Sequence, residues 1–580
     1  MTLPRKIKTL RISGIILLVL QLFSYLGNKG LPAEPVADQS ELIGYYIGYN
    51  LLFFIAIILF IIAYSLKKKL KKQHQEKTIE SIGKHLPLVI IFSLTTLLSF
   101  GQSFSDTILL IDKIMARYKP SMPGCQLAIS RNGITIFSKA YGMADLEHAV
   151  PLTTTSVTEA GSVSKQFTAA AILLLEQQGK LSLDDDVHKY IPELPDYGFT
   201  ITLRNMMQHT SGLKDWGSVA AITGWPRSSK TYNNTDALQI ISRQKTLNHP
   251  PGEEYLYSNS NYNLFAIIVE RLSGKSLADF SKEFLFIPAG MTHTQWRNDF
   301  RKVVRNRAIA YSMVNFNYRT DMPNENVYGN GGLLTTAEDL LAWNNFYLSG
   351  KLGQPSLLAR QLTTNPFNNG SMGHYGAGLR VDSVLGRKII THSGATASYR
   401  ANLDYFPDLG LSIAWLSNTS QFDIDAKPAA ASIRNLLVKN LAPPEKPAPP
   451  KQVILDSALF RDAKDGDVKK LPVKNGQPFN PPAGNWSQVA AAIITSAYLQ
   501  EFTGSYYSYD ADLTISMSIK EGKLQLYVNA STLHMLSPSC KDGFSMPFGN
   551  VFFSRDASQQ ITGCTVSVSR ARNVPFVRVN

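Results

Sequence analysis

A stretch of 25 residues without a charge, residues 42–66, constrains the N-terminal part of the chain more than any other feature. It reads LIGYYIGYNLLFFIAIILFIIAYSL, and the basic cluster KKKLKK follows at once. A helix of about 20 apolar residues crosses the ~30 Å hydrocarbon core of a bilayer, and cationic clusters commonly flank such helices. The stretch therefore predicts a transmembrane helix. The alternative, a helix buried in a protein core, is disfavoured by the adjoining lysines.

Two shorter apolar stretches lie on either side of it, at residues 12–27 and 86–100. Lys and Arg flank the start of the first and fill the interval before the last, and cationic flanks tend to stay in the cytoplasm. Residues 1–83 are thus expected to form a membrane segment with two apolar helices, and the chain after it is expected to lie outside the cytoplasm. Residues 84–104 fit a cleaved secretory signal as well as a third span, and both interpretations stay open.

The net charge of +14 is unevenly distributed and does not indicate a nucleic-acid partner. The first 85 residues hold twelve Lys or Arg against five Asp or Glu, and the remaining 495 residues share the other +7. No basic stripe interleaved with aromatic residues accompanies this charge. Three cysteines exclude a disulfide-rich scaffold, and the histidines lack metal-ligand spacing, so we expect no metal and no other cofactor. Cys125 is expected to be buried in a strand, whereas pairing of Cys540 with Cys564 stays open.

The stretch GSVSKQFTAAAILLLEQQGK, residues 161–180, places two serines beside one lysine. Ala and Leu favour a helix here, and Gly179 stands where a glycine commonly ends one. Residues three apart share a helix face, so Ser162 and Lys165 point the same way, whereas Ser164 and Lys165 diverge by about 100°. A neutral lysine can take the proton of a serine hydroxyl, so this spacing favours Ser162 as a nucleophile. Its backbone N–H, in the first turn of the helix, could stabilise an oxyanion.

Further motifs follow this one in a fixed order. They are ITLRNMMQHTSGL, YSNSNYNLFAIIVERLSG, FLFIPAGMTHTQW, GNGGLLTTAEDLLAW and THSGATASYRANLDYFPDLGLSIAWLSN. Together with S-x-x-K, this succession resembles the serine β-lactamase and penicillin-binding-protein-like hydrolases, above all the class C β-lactamase-related group. That group also contains esterases, DD-carboxypeptidases and D-amino-acid peptidases. The resemblance covers residues 105–440 and implies an α+β fold of the β-lactamase/transpeptidase type, an antiparallel sheet flanked by helices with a helical subdomain.

The resemblance also implies roles for individual side chains. Ser162 would attack an ester or amide carbonyl, and Lys165, kept neutral by burial, would accept its proton directly or through Tyr257. Tyr257 and Asn259 match the family's Y-x-N motif. Tyr257 would pass a proton to the leaving group, Asn259 would orient Lys165 and bind the substrate amide, and water would hydrolyse the acyl-enzyme. Whether Lys165 or Tyr257 is the base stays open.

The third family motif, Lys-Thr-Gly in many members, falls on His392, Ser393 and Gly394. The resemblance makes the N–H of the next residue, Ala395, the second oxyanion donor beside that of Ser162, and it makes Ser393 and Gly394 substrate contacts. A lysine would be a permanent cation for a substrate carboxylate, but a histidine, with an ordinary pKa of about 6.5, is mostly neutral at pH 7. A catalytic-site histidine here favours esterases and peptidases over β-lactamases. A structural histidine at a strand edge is the alternative.

Other residues in these motifs have a structural interpretation beside the functional one. His209 in HTSG fits turn chemistry, and Gly331 and Gly332 fit close approach of the backbone. Three aromatic residues fit the pocket wall or the core equally well: Trp216, Tyr311 and Tyr328.

The last 140 residues fall into two parts. Residues 441–492 begin LAPPEKPAPPKQ and are interpreted as a Pro- and Lys-rich linker. In residues 493–580, short runs alternate apolar and polar residues between turn signals, which predicts an antiparallel β-barrel that resembles the lipocalin-like modules of some relatives. This part could cover the active-site mouth, bind substrate or stabilise the enzyme.

Together these features predict a serine hydrolase at the cell membrane whose catalytic domain, residues 105–440, is extracytoplasmic. Its substrate would be a small-molecule or peptide ester or amide, with cell-wall peptides among the candidates. The rival hypothesis is a catalytically retired penicillin-binding-like protein that binds or senses cell-wall peptides at the membrane. The complete set of Ser162, Lys165, Tyr257 and Asn259 favours the enzyme. The oligomeric state stays open.

Overall fold

The fold is taken from a computed structural model. It describes residues 107–224, 230–354, 356–422, 429–439, 457–474, 477–478, 481, 484–492, 494–529 and 532–579, with five single residues between 58 and 65. Apart from those five, the apolar stretches predicted as membrane or signal segments lie outside the described residues. Within the described ranges, no helix is both long enough and apolar enough to cross a bilayer. The chain divides into two compact units, Met1–Ala116 and Arg117–Asn580, and a helix over residues 107–115 is described in the first.

The second unit begins with the strands that build the predicted hydrolase domain. They are β1 (Cys125–Arg131), β2 (Ile134–Tyr141), β3 (Met143–Asp145), β4 (Val150–Pro151), β5 (Thr158–Glu159), β6 (Gln295–Trp296), β7 (Tyr311–Val314), β8 (Asn317–Thr320), β9 (Leu333–Thr335), β10 (Arg380–Val384), β11 (Arg387–Thr396), β12 (Tyr399–Phe406) and β13 (Leu411–Ser417). Six of them form an antiparallel sheet in the order β10-β11-β12-β13-β1-β2. The others pair in three small sheets, β3-β4, β5-β9-β6 and β7-β8.

The sheet begins with a tight hairpin. Asn132 and Gly133 join β1 to β2 with φ of +50° and +78°, the left-handed conformation that a type I′ turn requires at both positions. In β1 every residue except Arg131 is buried, and in β13, its neighbour on the other side, all seven are buried. Cys125 is fully buried in β1, as predicted. These two strands therefore form the apolar centre of the sheet.

Helices pack around this sheet, and those between β5 and β6 form a helical subdomain. They are α1 (Lys165–Gln177), α2 (Leu203–Met207), α3 (Trp216–Ile222), α4 (Asn234–Arg243), α5 (Asn259–Ser273), α6 (Leu277–Ser281), α7 (Ile287–Ala289), α8 (Ala337–Tyr347), α9 (Ser356–Leu362) and α10 (Ala429–Lys439); short 3-10 turns cover Gly161–Ser164, Val187–Lys189 and Pro407–Leu409, and a π turn covers Lys282–Phe286. The predicted α+β architecture is confirmed.

Helix α1 follows the sequence signals closely at its C-terminal end. Gly179 has φ of +70°, and the N–H of Lys180 donates to the Leu175 carbonyl at 3.0 Å, which is the Schellman arrangement. At its N-terminal end the chain differs from a plain helix start, because Gly161–Ser164 is a 3-10 turn. Residues three apart eclipse one another in such a turn, which strengthens the alignment of Ser162 with Lys165.

The C-terminal part contains two sheets. The first is β16-β15-β14-β17, built from β14 (Ser457–Asp462), β15 (Val468–Lys474), β16 (Gln477–Pro478) and β17 (Trp486–Gln488). These strands lie within residues 441–492, so a part of the predicted linker is a sheet rather than an extended connector. Strands of two to seven residues interrupted by prolines are too short to display a clear alternating pattern, and pairing with neighbours stabilises them instead.

The second sheet is the predicted antiparallel barrel, which is present and nearly closed. A short helix, α11 (Ser496–Gln500), precedes its nine strands, β18 (Gly504–Ser508), β19 (Leu513–Lys520), β20 (Lys523–Asn529), β21 (Thr532–Met535), β22 (Ser537–Cys540), β23 (Gly543–Met546), β24 (Gly549–Arg555), β25 (Ile561–Val568) and β26 (Ala571–Val579). Their order is β21-β20-β19-β18-β26-β25-β24-β23-β22. Cys540 and Cys564 are buried free thiols in this sheet and are not joined.

The barrel packs directly on the hydrolase domain. Helix α3 contacts β25 and β26, and apolar residues of both parts belong to one continuous buried cluster. Gln244 donates to the Asp510 carbonyl at 2.7 Å, and Arg243 pairs with Asp512 at 2.9 Å. The two parts therefore share a core, although they are far apart along the chain.

Candidate active site

A cavity of about 870 Å³ opens where α5, β11 and the 3-10 turn Gly161–Ser164 converge. Seven of the eight residues predicted for the site line it: Ser162, Tyr257, Asn259, His392, Ser393, Gly394 and Ala395. The eighth, Lys165, is fully buried next to Ser162. Residues distributed over 234 positions of sequence thus converge on one cavity.

Lys165 has three oxygen neighbours. Its Nζ donates to Asn259 Oδ1 at 2.8 Å and to the Asn330 carbonyl at 2.5 Å, and it lies 3.2 Å from Ser162 Oγ. Burial lowers the pKa of this amine well below its ordinary value, and the positive charge of Arg570 lowers it further, while Asp215 acts in the opposite direction.

These contacts determine what a neutral Lys165 does. A neutral amine has two N–H donors and one lone pair, and the oxygens of Asn259 and Asn330 can only accept. Both N–H groups are therefore occupied by those two oxygens. The lone pair is left for Ser162, whose hydroxyl must then donate its proton toward Nζ. The arrangement can remove a proton from Ser162.

Ser164 lies in a different environment from Ser162. Its Oγ donates to the Gly161 carbonyl at 2.5 Å and accepts the N–H of Leu333 at 3.1 Å. Its side chain is fully buried, whereas Ser162 is partly exposed to the cavity. Because its hydroxyl holds the 3-10 turn against β9, Ser164 serves the fold rather than the chemistry.

The Tyr257 ring contacts two basic side chains. Lys165 Nζ and the Arg570 guanidinium each lie 4.7 Å from the ring centroid. Burial raises the pKa of the phenol above its ordinary value, and the nearby Ser162 hydroxyl partly opposes that rise, yet no hydrogen bond of good geometry joins the two groups. The phenol is consequently protonated at neutral pH and able to donate.

Two glycines allow the 3-10 turn and β11 to approach each other. A Cβ on Gly394 would lie 2.0 Å from the Ala160 carbonyl oxygen and 3.0 Å from Ser162 N, and a Cβ on Gly161 would lie 2.6 Å from Ala395 N. Gly161 also has φ of +50°. The absence of side chains at both positions brings the backbone nitrogens of Ser162 and Ala395 to the same end of the cavity, as two oxyanion donors require.

His392 is fully buried in the cavity wall and held in one tautomer. Nδ1 lies 2.6 Å from the Ser393 carbonyl, which can only accept, so Nδ1 carries the proton. Nε2 therefore accepts from the Tyr375 hydroxyl at 2.8 Å. Burial lowers the pKa of His392 to about 3, and the charge of Lys165 contributes in the same direction. His392 is thus neutral and supplies no cation where many members of the family have lysine.

Sequence reasoning missed several residues of the site. The role of the Asn330 carbonyl could not be predicted, because a backbone acceptor cannot be inferred from residue type, although Asn330 lies in the motif GNGGL. Asp215 follows HTSGL and accepts the N–H of Asn259 at 2.7 Å, fixing the start of α5. Tyr375 and Arg570 belong to none of the motifs, and no sequence signal pointed to either.

Of the residues with two interpretations, Gly331 lines the cavity, whereas the others do not: His209, Trp216, Tyr311, Tyr328 and Gly332. His209 is fully buried with φ of +58°, and its Nδ1 accepts the N–H of Ser258 at 3.2 Å while its ring stacks 4.2 Å from that of Tyr257. Trp216 and Tyr311 are buried outside the cavity, and Tyr328 does not line it either. His209 thus acts by supporting Tyr257.

Among the described residues, Asp145, Glu147 and His148 bring possible metal-ligand atoms within 4.8 Å of one another. The group is largely exposed, Asp145 pairs with His148 at 2.7 Å, and none of the three lines the cavity. We therefore assign these three residues no role in the chemistry of the site.

Comparison with known proteins agrees with this geometry. Residues 109–437 match the family described as Beta-lactamase. The chain is 30% identical over 355 residues to Penicillin-binding protein 4* of Bacillus subtilis, covering 57% of this chain and 76% of that protein. It is 29% identical over 328 residues to a D-aminopeptidase of Cereibacter sphaeroides, covering 55% of this chain and 61% of that protein. The octameric penicillin-binding protein homologue from Pyrococcus abyssi aligns with 82% of this chain and 99% of its own at 20% identity and a TM-score of 0.51, a likeness of fold alone.

Proposed function

Because this chain belongs to the Beta-lactamase family, we propose that it is a serine hydrolase that cleaves an amide or ester through an acyl-enzyme on Ser162. The observation that carries the proposal is the hydrogen bonding of Lys165. With both N–H groups occupied by Asn259 and Asn330, its lone pair is available only to the Ser162 hydroxyl.

In the first step Ser162 Oγ forms a bond to the substrate carbonyl carbon while its proton passes to Lys165 Nζ. The negative charge moves to the carbonyl oxygen, and the backbone N–H groups of Ser162 and Ala395 stabilise it. A phenol whose pKa is raised by burial stays protonated at neutral pH and cannot take the Ser162 proton, which supports Lys165 rather than Tyr257 in this step.

In the second step the tetrahedral intermediate collapses and the bond to the leaving group breaks. The leaving nitrogen or oxygen takes a proton from the Tyr257 hydroxyl, which regains one from protonated Lys165. A water then attacks the acyl-enzyme with Lys165 again as the base, releasing the acid and restoring Ser162.

We infer amides and peptides of D-amino acids as the preferred substrates, because a D-aminopeptidase is among the relatives. His392 is neutral, so a substrate carboxylate must find its cation elsewhere in the cavity. Esters are expected as accessory substrates, because the same acyl transfer acts on them.

A substrate panel tests this proposal. The full chain is assayed with D-alanine p-nitroanilide, p-nitrophenyl acetate and nitrocefin, beside Ser162→Ala and the matched Ser164→Ala. We expect turnover of the anilide and the acetate, a loss of at least about 10³-fold in Ser162→Ala, and retained activity in Ser164→Ala. Activity in Ser162→Ala equal to that of the wild type, or tight binding of cell-wall peptides without turnover of any substrate, would refute the proposal.

We also propose that the hydrolase works on the outer side of a membrane. The support is the sequence pattern of apolar stretches and basic flanks in the first hundred residues. Protease added to spheroplasts, whose inner membrane is intact and whose outer barriers are removed, should digest an epitope placed after Asn580. Protection of that epitope until the cells are lysed would contradict the proposed orientation.

A further inference from the structure

The turn between β25 and β26 reaches the cavity that holds Ser162. It consists of Ser569, with φ of +43°, and Arg570, whose side chain lines the cavity. The C-terminal barrel therefore supplies a residue to an active site that is otherwise built by the hydrolase domain.

This turn is fixed in place by hydrogen bonds at Arg570 and at Arg572. The Arg570 carbonyl accepts the N–H of Asp215 at 3.1 Å and Asn248 Nδ2 at 3.0 Å. The N–H of Arg572 donates to Asn248 Oδ1 at 2.8 Å, and its guanidinium pairs with Glu254 at 2.6 Å. A side chain on such a turn has a defined position relative to the site.

The guanidinium of Arg570 retains capacity for a ligand. Nη1 lies 4.0 Å from Asp215 Oδ2, beyond hydrogen-bond distance, and the side chain is 40% exposed. Asp215 already accepts the backbone N–H groups of Asn259 and Ser218 at 2.7 and 2.9 Å. Within the described part of the chain, the Arg570 side chain makes no hydrogen bond that would occupy its planar set of donors. A guanidinium with free donors pairs with a carboxylate through two parallel hydrogen bonds.

A second arginine stands near it. Arg380, at the start of β10, is exposed and lines the same cavity. Tyr255 lines the cavity with both arginines. Burial raises the pKa of Tyr255 to about 12, and the charges of Arg380 and Arg570 both oppose that rise. Of the carboxylates in the cavity wall, Glu325 lies 3.6 Å from buried Arg297, and Asp382 is exposed.

Arg570 also lies on a particular side of the reacting bond. Its guanidinium is 4.7 Å from the ring centroid of Tyr257, the group proposed to protonate the leaving group. An anion held there belongs to the leaving group rather than to the acyl part. His392, neutral and bonded to Tyr375, cannot fulfil that role.

We propose that Arg570 is the anion anchor of this active site, a guanidinium from the barrel that binds a carboxylate on the leaving group. The inference rests on the proposed acyl transfer, and among amide substrates it assigns the preference to those whose leaving group is an amino acid with a free carboxylate.

Matched substrates test the anchor in the full-length protein. One is an N-acetyl-D-alanyl-D-alanine with a free carboxylate, the second is the same peptide as a carboxamide, and p-nitrophenyl acetate is the neutral reference. kcat/KM is measured above the acid limb of the pH profile for wild type, Arg570→Gln, Arg570→Lys and Arg301→Gln, a control arginine that is 76% exposed and does not line the cavity.

We expect the wild type and Arg301→Gln to prefer the carboxylate. The ratio of kcat/KM for the carboxylate to kcat/KM for the carboxamide should fall about 10- to 100-fold in Arg570→Gln, with Arg570→Lys between. An equal fall on all three substrates, or no fall on the carboxylate, overturns the anchor while leaving the acyl transfer intact. No turnover of any substrate by the wild type would refute the proposed function itself, and the anchor with it.

A binding measurement on the wild type tests the anchor without depending on the folding of a variant. D-Alanine, the leaving group of the carboxylate peptide, should inhibit acetate hydrolysis competitively, and ethylamine, which lacks the carboxylate, should inhibit it at least about 10-fold more weakly. Equal inhibition by the two amines contradicts the anchor.

Discussion

At Lys165, burial and hydrogen bonding act in the same direction. Burial lowers the pKa of the amine, and two carbonyl acceptors direct its remaining N–H groups away from Ser162. The S-x-x-K spacing favours Ser162 over Ser164 from sequence alone, because the eclipsed geometry of a short helical turn is local. The two acceptors could be inferred only in part. The Asn259 side chain was visible in Y-x-N, whereas the Asn330 carbonyl required the fold.

The pH profile of the enzyme should depend on Arg570. Lys165 acts as a base in its neutral form, so activity rises as pH increases through its lowered pKa. Arg570→Gln removes a positive neighbour, which makes protonation of Lys165 easier and raises that pKa. The acid limb of kcat/KM for p-nitrophenyl acetate should therefore move to higher pH, with the plateau unchanged. A limb that stays in place or moves to lower pH would contradict this account of Lys165.

Asn259→Asp tests the pKa of Lys165 at a second neighbour, the side chain that accepts one of its N–H groups. A carboxylate where Asn259 Oδ1 lies, 2.8 Å from Nζ, would stabilise the protonated lysine and raise its pKa. We expect kcat/KM near neutral pH to fall by about 10²-fold or more and to recover partly at high pH. Asn234→Asp, a change near the same helix but away from Lys165, serves as the control. A loss of activity that does not depend on pH would indicate disrupted folding instead.

At the level of single elements, the sequence predicts turns and helix ends well, and it predicts contacts between distant segments poorly. The turn at Asn132 and Gly133 and the end of α1 at Gly179 depend on backbone conformations that few residues other than glycine or asparagine adopt readily. Strands β14–β17 lack such signals, and they depend on partners for stability. Nothing in the sequence near Arg570 indicates that this residue contacts the hydrolase domain. Arg570 and Asp215 are 355 positions apart, and a contact over that separation depends on the folded surface.

Two matched glycine variants test the close approach of β11 to the 3-10 turn. Gly394→Ala would place a Cβ 2.0 Å from the Ala160 carbonyl, whereas Gly331→Ala, in the same cavity, would meet nothing nearer than 3.8 Å. We expect Gly394→Ala to lose at least about 10²-fold in kcat/KM, because the strand must move away from Ser162 and separate the two oxyanion donors. Gly331→Ala should stay within about 3-fold of wild type. Similar kinetics for the two variants would contradict the proposed oxyanion arrangement.

At the scale of the whole molecule, the barrel is part of the enzyme rather than an appendage. It shares a buried apolar cluster with the hydrolase domain, and its β25–β26 turn completes the cavity wall. Of the three roles that the sequence left open for this part, contact with the substrate is the one that the position of Arg570 favours.

Docking of the barrel should then control selectivity. Arg572→Ala removes the ion pair with Glu254 at 2.6 Å and loosens the turn without removing Arg570. We expect the preference for the carboxylate peptide over its carboxamide to fall by about 3- to 10-fold, with acetate hydrolysis unchanged. A preference equal to that of the wild type would show that the turn does not depend on this contact.

We propose that Ser162 carries the acyl group and that Lys165 activates it. The most direct measurement is peptide mapping by mass spectrometry after the full chain is treated with a fluorophosphonate. We predict one modified residue, Ser162, in the wild type and in Ser164→Ala, and a labelling rate at least about 10²-fold lower in Lys165→Ala. Modification of Ser164, or labelling of Lys165→Ala at the rate of the wild type, would contradict the account.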